Sequence, residues 1–254
     1  AMTVLAVDIG NSGVHIGAFR GRKLAWRTGA PLEVEDPVGT LEGLLCARGI
    51  SLSDVRGAVV GSVVRGTTKV WTAALRGLSG VEPLVARGRS DWGIEVSYDD
   101  PDSVGVDRLS AASEAYRSVG GPVVVVDVGT AITVDVVSGD GAFLGGVIAA
   151  GPKLMSLALH EHTSLLPLVE PKHGVGLLGC STVDCIRSGL LYGTASLVDG
   201  LVKRARGEVG DATVVATGGG LDFVLPALEE RVDVVDPDLV LKGLYRLFRR
   251  ERGL

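Results

Sequence analysis

Two segments of the 254-residue chain repeat one pattern, an apolar run that ends in Asp-x-Gly. Residues 3–11 read TVLAVDIGN and residues 122–130 read PVVVVDVGT, so that Asp8 and Asp127 lie about half a chain length apart. A short apolar run closed by turn residues is typical of a buried strand. Because an internal repeat constrains a fold more than any local propensity does, the chain is predicted to consist of two related halves.

The elements that follow the apolar run are also shared by the two halves. Residues 14–27 and 131–149 each read as two strands joined by a short turn, and helices and a further strand come next. The order predicts an α/β fold of two similar lobes, residues 1–118 and 119–254, with a cleft between them. Open α/β sheets bind ligands beyond the carboxyl ends of their strands. The two Asp-Gly turns are therefore expected on the walls of this cleft.

Composition limits the partners and the setting of the chain. The net charge of -5 argues against nucleic acid, and the basic residues from Lys242 to Arg252 are predicted to form the solvated face of a terminal helix. The sequence contains no apolar run of the roughly 18 residues that a membrane span needs, so no membrane partner is expected. Three cysteines, an odd number, suit a reducing compartment and predict a cytoplasmic protein.

The first Asp-Gly segment has the residues of a phosphate and magnesium site. Asp8 offers the oxygen ligands that Mg²⁺ prefers, and the glycines at positions 10 and 13 let a phosphate approach the backbone. A plain strand-end turn explains one such motif equally well, but its repetition at Asp127 makes it more specific. Residues 217–220, Thr-Gly-Gly-Gly, either pass close to a nucleotide or form a flexible turn. The sequence contains neither a P-loop nor a Rossmann glycine motif.

Residues 104–108, Val-Gly-Val-Asp-Arg, are the most informative polar segment. The Asp107 carboxylate can accept a proton from a substrate hydroxyl, and Arg108 can bind a substrate carboxylate with its fork of donors. The alternative is a structural role, in which Asp107 interacts with the amides of the first turn of a helix. The segment alone leaves both interpretations open.

Taken together and in this order, the segments resemble type III pantothenate kinases of the acetate and sugar kinase/Hsp70/actin superfamily. The resemblance runs along nearly the whole chain. The matching segments are residues 8–11, 62–64, 98–101, 104–108, 127–131 with Thr133 and Asp135, 145–149, Thr163 with Leu166 and Pro167, Thr182 with Ser188 and Gly189, 217–219 and 236–239. It implies two ribonuclease H-like lobes, the actin-like ATPase fold. It also implies ATP-dependent phosphorylation of pantothenate to 4'-phosphopantothenate, the first step of coenzyme A biosynthesis.

The resemblance further implies roles for individual residues. The ATP-binding turn would comprise Asp8, Ile9, Gly10, Asn11, Ser12, Gly13, Val14 and His15, with Thr130 as a further phosphate contact. Asp8 would hold Mg²⁺ with ATP, and Asp127 would bind a monovalent cation, K⁺ or NH₄⁺. The pantothenate contacts would be Tyr98, Gly105, Val106, Asp107, Arg108 and Thr182, with Asp107 as the proton acceptor.

The family resemblance also predicts a homodimer whose substrate pocket lies close to the subunit interface. Residues 182–206 read as a helix that is apolar around much of its surface, with Ile186, Leu190 and Leu197 among its members. A surface helix needs only one apolar stripe. The helix is therefore predicted to form part of the dimer interface.

Some positions depart from the family pattern, and two other functions remain open. Ser12-Gly13 stands where Thr-Asn is common, Val106 where alanine is common, and Ala150-Gly151-Pro152 changes the usual Pro-Gly order. One alternative is another small-metabolite kinase of the same superfamily, which would not need the segment at residues 104–108. The other is a non-catalytic accessory or regulatory homologue, which would not need Asp8 or Asp107.

Overall fold

The computed structural model describes residues 3–254, and its strands and helices alternate in the expected order. The strands are β1 (Thr3–Gly10), β2 (Gly13–Arg20), β3 (Lys23–Ala30), β4 (Val55–Ser62), β5 (Leu84–Val85), β6 (Glu95–Val96), β7 (Val123–Val128), β8 (Ala131–Val137), β9 (Ala142–Ala150), β10 (Thr213–Thr217) and β11 (Val234–Val235). The α-helices are α1 (Pro37–Cys46), α2 (Thr67–Ser79), α3 (Val106–Val119), α4 (Pro152–Glu161), α5 (Thr182–Ser188), α6 (Thr194–Val209), α7 (Leu221–Val224) and α8 (Leu239–Glu251).

The chain folds into two compact units. The first runs to Glu114 and is completed by Asp238–Leu254, and the second is Ala115–Pro237. The first boundary lies close to the predicted one at residue 118. The last helix differs from the expectation, because residues 238–254 pack with the first unit and not with the second.

The two units share one sheet order, which confirms the predicted repeat. In the first unit the order is β3-β2-β1-β4-β5, and the strands of the second unit follow the matching order β9-β8-β7-β10-β11. In both, the first three strands in sequence are antiparallel neighbours and the remaining pairs are parallel. Asp8 and Asp127 occupy corresponding places, near the carboxyl end of the central strand of each sheet.

Alternation along β1 separates an apolar core from the face that carries Asp8. Leu5, Val7 and Ile9 are completely buried with side chains from α1 and α2. Because successive side chains of a strand point to opposite faces, Asp8 lies on the other face of the sheet. The same alternation holds in β7, where Val124, Val126 and Val128 pack with α6 and leave Asp127 on the opposite face.

Helix α8 packs on the Asp8 face of the first sheet because glycines make room for it. An ideal Cβ on Gly17 would lie 3.3 Å from Leu241 Cδ1, one on Gly61 2.8 Å from Leu244 Cδ2, and one on Gly57 2.9 Å from Phe248 Cε2. The apolar residues of α8 recur at intervals of three and four, the spacing of one helix face. Because the apolar face of α8 fits against the glycines of the first sheet, residues 238–254 belong to the first unit.

Within residues 3–254, no helix combines the length and the apolar character that a membrane crossing requires.

Candidate active site

The Asp8 carboxylate lies half-buried near the end of β1, between two neighbouring strands. Its partners in register are His15 on β2 and Gly61 on β4. Directly paired residues of an antiparallel sheet present their side chains on the same face, so the His15 ring stands beside Asp8. The turn that follows Asp8 is only two residues long, and both of them, Asn11 and Ser12, are exposed. The backbone of this turn is therefore open to an incoming phosphate.

The pKa of His15 lies below its usual value. Neighbouring residues exclude part of the water around the ring, and the positive charge of Arg27 disfavours protonation further. The side chain as a whole stays exposed. Arg27 itself donates to Asp238 Oδ1 at 2.7 Å. A lowered pKa favours the neutral imidazole, and a neutral ring adds no positive charge beside the Asp8 carboxylate.

Asp107 lies in the first turn of α3, where its Oδ1 accepts a hydrogen bond of 2.8 Å from the backbone N–H of Arg108. Burial raises the pKa of Asp107, while this bond and the Arg108 guanidinium act in the opposite direction. An ideal Cβ on Gly105 would lie 2.5 Å from Asp107 Oδ1, so the carboxylate needs a glycine at that position. The structural interaction and the proton-acceptor role are thus compatible, because a raised pKa increases the basicity of the carboxylate.

The ends of β1 and β4 and the start of α3 are joined by direct contacts. The N–H of Val63 donates to Ile9 O at 3.1 Å, and an ideal Cβ on Gly61 would lie 3.5 Å from Val106 Cγ2. Gly61 is the register partner of Asp8. These contacts bring two of the predicted functional segments, residues 8–13 and 105–108, to one edge of the first unit.

The segment that carries Tyr98 is held by Arg89. Its guanidinium binds Asp102 Oδ2 at 3.0 Å and Asp100 Oδ1 at 3.1 Å, and its backbone N–H binds Asp102 Oδ1 at 3.1 Å. Tyr98 is partly buried between β6 and this acidic pair. The arrangement fixes the path of the chain between Tyr98 and the start of α3.

In the second unit the Asp127 carboxylate lies directly against the backbone of Gly218. Asp127 is in register with Thr133 on β8 and Thr217 on β10. An ideal Cβ on Gly218 would overlap Asp127 Oδ1 and Val128 O and would lie 2.6 Å from Val128 N. Gly218 also has a φ of +101°, a conformation that favours glycine. The position was singled out in the sequence only as part of a glycine run.

The Asp127 carboxylate offers oxygen atoms, which suit a hard cation. A carboxylate and a main-chain carbonyl are ligands for Mg²⁺ or K⁺ and not for soft metals. Among residues 3–254 there is no cluster of three or more His, Cys, Asp or Glu side chains that could hold a metal ion. A cation here would therefore be coordinated mainly by one carboxylate, by carbonyls and by water.

Thr130 is exposed in the turn between β7 and β8. This turn contacts Gly151, the N-cap residue of α4. The N–H of Gly151 donates to Thr130 O at 2.9 Å, and an ideal Cβ on Gly151 would overlap Gly129 O. This contact explains why a glycine stands at position 151. Thr182, also exposed, begins a different helix of the second unit, α5, after the N-cap residue Ser181.

Asp135 is a further acidic residue of the second unit, which the sequence analysis did not include among the site residues. It lies on β8 with 1% of its surface exposed, and an ideal Cβ on Gly146 would lie 2.5 Å from its Oδ1. An aspartate within an otherwise apolar strand is the sequence signal that could have indicated this position.

The repeated sheet defines the class of the protein by its architecture, the actin-like ATPase fold. Solved structures support the fold. The polyphosphate/ATP-glucomannokinase of an Arthrobacter species gives a TM-score of 0.51 at 15% identity, over 98% of this chain and 100% of that chain. Component A of the (R)-2-hydroxyglutaryl-CoA dehydratase of Acidaminococcus fermentans gives 0.59 at 17% identity, over 100% and 99%.

The family follows from closer relatives. The family model of type III pantothenate kinase matches residues 4–204. The type III pantothenate kinase of Rubrobacter xylanophilus is 39% identical over 259 residues, which cover 96% of this chain and 97% of that protein. A type III pantothenate kinase of Thermus thermophilus is 38% identical over 258 residues, with 98% and 100% covered. The chain belongs to the type III pantothenate kinase family.

Proposed function

We propose that the protein transfers the γ-phosphoryl group of ATP to the hydroxyl of pantothenate, which yields 4'-phosphopantothenate and opens coenzyme A biosynthesis. The observation that carries this proposal within the chain is Asp107. It is a half-buried carboxylate with a raised pKa, at the edge of the first unit where the Asp8 strand also ends. Family membership supports pantothenate as the acceptor.

Asp107 acts on the hydroxyl that attacks the phosphoryl group. Its carboxylate accepts the proton, a role for which a pKa above the ordinary carboxyl value is favourable. Arg108 binds the carboxylate of pantothenate, and Tyr98, Gly105 and Val106 complete the contacts to the acceptor. Phosphoryl transfer depends mostly on positioning and on neutralisation of phosphate charge. The pairing of a base with an adjacent guanidinium fits a substrate that carries both a hydroxyl and a carboxylate.

The turn at residues 8–15 binds the phosphates of ATP. Asp8 would hold Mg²⁺, and the ion would supply charge neutralisation at the transferring phosphoryl group. The His15 ring beside it, whose lowered pKa favours the neutral form, offers a hydrogen bond to the phosphates. Ser12, which departs from the common pattern, is exposed at the tip of the turn, so we infer an effect on phosphate contacts and not on folding.

The second unit contributes further contacts. Thr130 binds a phosphate and Thr182 binds pantothenate, as the family resemblance implies. Asp127 would hold a monovalent cation, K⁺ or NH₄⁺, and the close approach of the Gly218 backbone to its carboxylate supports a constrained site. Val106 also departs from the family pattern, in which alanine is common at this position. Its side chain is buried and directed toward Gly61, so the larger side chain affects packing first.

A homodimer is also proposed, but the argument for it no longer rests on the apolar residues of the predicted helix at 182–206. Ile186, Leu190 and Leu191 of that helical region are buried within the second unit itself. Its apolar surface is therefore explained by packing inside one chain. The better candidate is the surface of β9 and α4, where large apolar side chains are exposed. These side chains are Leu144, Val147, Ile148, Leu154, Leu157 and Leu159.

The large exposed apolar side chains on β9 and α4 make this region a candidate protein–protein contact surface. A second copy of the chain would cover this surface. We also propose a cytoplasmic location, which suits an enzyme whose three cysteines are all free. Light scattering at the concentration of the activity assay tests this proposal. A fully active monomer would contradict it.

A coupled assay of ADP release decides between the candidate functions. We expect turnover with pantothenate, and little with a panel of sugars and small carboxylic acids. Turnover with a sugar and none with pantothenate would favour another kinase of the superfamily. Absence of turnover with every acceptor, in a preparation that binds ATP, would favour the non-catalytic alternative. The Asp107→Asn variant is the matched control for contaminating kinase activity.

A further inference from the structure

Cys180 and Cys185 flank the first turn of α5, where the backbone before Cys180 lies against Cys185. Ser181 is the N-cap residue: its Oγ accepts from Asp184 N at 3.1 Å and donates to Asp184 Oδ2 at 2.7 Å. Ser181 thus caps the helix, and the residue before an N-cap often packs against the fourth helical residue, an arrangement called a hydrophobic staple. Those two positions are occupied here by Cys180 and Cys185.

The contacts around Cys185 support this pairing. Its Sγ lies 3.5 Å from the carbonyl oxygen of Gly179. An ideal Cβ on Gly179 would overlap Cys185 N and lie 2.9 Å from Cys185 Cα, so the chain before Cys180 passes directly over Cys185. A carbonyl oxygen lies about 2.8 Å from the next Cα across a trans peptide. The Cys185 sulfur is therefore at most about 6.3 Å from Cys180 Cα, against roughly 4 Å in a formed disulfide.

We propose that Cys180 and Cys185 form a reversible intrachain disulfide when the protein meets a low-molecular-weight disulfide. One thiolate attacks the oxidant RSSR, which gives a mixed disulfide and releases RS⁻. The second thiolate attacks the protein sulfur of the mixed disulfide, forms the Cys180–Cys185 bond and releases the second RS⁻. Both protein sulfurs are oxidised, two molecules of RSH are the reduced products, and the two thiol protons end on them. Both side chains are exposed to such a reagent.

The disulfide encloses Thr182, and this consequence rests on the proposed function. Thr182 lies between the two cysteines and is a proposed contact to pantothenate. Closing a ring around it restricts the first turn of α5 and shifts the Thr182 hydroxyl. Disulfides in reducing compartments are usually transient and redox-sensing, in agreement with a bond that a cellular thiol can open again. The third cysteine, Cys46, ends α1 in the first unit and provides an internal reference.

The chemistry is tested without any activity assay. The full chain is incubated with oxidised glutathione, and its thiols are counted under native conditions and by intact mass. We expect the wild type to lose two of its three thiols with a mass decrease of about 2 Da and full reversal by dithiothreitol. Cys46→Ser should keep this response, whereas Cys180→Ser and Cys185→Ser should lose it. Retention of three thiols, a stable glutathione adduct in the wild type, or a bond to Cys46 would overturn the proposal.

A second measurement tests the link to the substrate site. In the oxidised wild type we expect an apparent KM for pantothenate at least threefold higher, with an unchanged KM for ATP and no response in Cys180→Ser. Thermal unfolding of the serine variants confirms that they fold. If the disulfide forms while the KM for pantothenate stays constant, Thr182 is not a substrate contact. Failure of the kinase assay itself would instead refute the proposed function and leave the thiol result intact.

Discussion

Replacement of Gly218 by alanine tests the constrained oxygen site of the second unit. The added Cβ would overlap Asp127 Oδ1 and Val128 O, and it would lie 2.6 Å from Val128 N. Two of these three atoms belong to the backbone of β7, the central strand of the second sheet, and cannot rotate away. The variant must therefore move either the Thr217–Gly218 backbone or the end of β7, together with Asp127.

The expected cost has two parts. A left-handed conformation costs a non-glycine residue about 1–2 kcal/mol, and the φ of Gly218 is +101°. Forcing an extra carbon into a closely packed site typically adds about 1–3 kcal/mol. The free energy of unfolding should thus fall by roughly 2–5 kcal/mol, and Tm by roughly 4–20 °C for a protein of this size.

Gly219→Ala is the matched control. It is the next residue in the same glycine run, an ideal Cβ there meets nothing within 4 Å, and its φ is not in the left-handed region. A compatible glycine-to-alanine change stabilises by about 0.4–1 kcal/mol or has little effect. Both variants are measured by thermal unfolding and by kinase assays over a range of K⁺ concentrations.

We expect Gly218→Ala alone to lose stability and to require more K⁺ for half-maximal activity, because Asp127 is displaced. Equal unfolding temperatures for the two variants would refute the steric argument. A destabilised Gly218→Ala with an unchanged K⁺ response would separate the backbone constraint from the proposed cation site.

Three further changes test the remaining parts of the site. Asp107→Asn should lower kcat by about 10²–10³-fold, because asparagine accepts a hydrogen bond but no proton. The same variant should unfold at a higher temperature than the wild type at neutral pH. Burial raises the folded pKa of Asp107, so its ionised form weakens the folded state as pH rises through the interval between the unfolded and folded pKa values. Arg108→Ala should mainly raise the KM for pantothenate, with ATP affinity by calorimetry unchanged; a normal KM would exclude Arg108 as the carboxylate ligand. The wild type assayed in Tris buffer should gain activity several-fold as K⁺ is added, and a flat response would contradict the cation role of Asp127.

The amino-acid sequence alone determined the repeat and much of the chemistry. Apolar runs, period-two alternation and glycine turns are local signals, and the order of the strands along the chain follows from them. Both halves therefore predicted the same sheet, which the structure confirms. The residue types at positions 8, 107 and 108 are compatible with a magnesium ligand, a base and a carboxylate ligand, and the family resemblance favoured these roles over the structural alternatives. Their roles in this protein remain predictions.

Only the tertiary structure decided which surfaces meet. The amphipathic pattern of α8 predicts a helix with one buried face but not the sheet that covers it, and the glycines at positions 17, 57 and 61 that accept α8 lie far away in sequence. The apolar residues of α5 and the turn after it are equally compatible with an interface or a core, and the structure places Ile186, Leu190 and Leu191 in the core of the second unit. The contact of Gly218 with Asp127 and the raised pKa of Asp107 likewise depend on neighbours distant in the chain. Side-chain periodicity reports that a face is buried, whereas the identity of the covering surface is set by packing between distant segments.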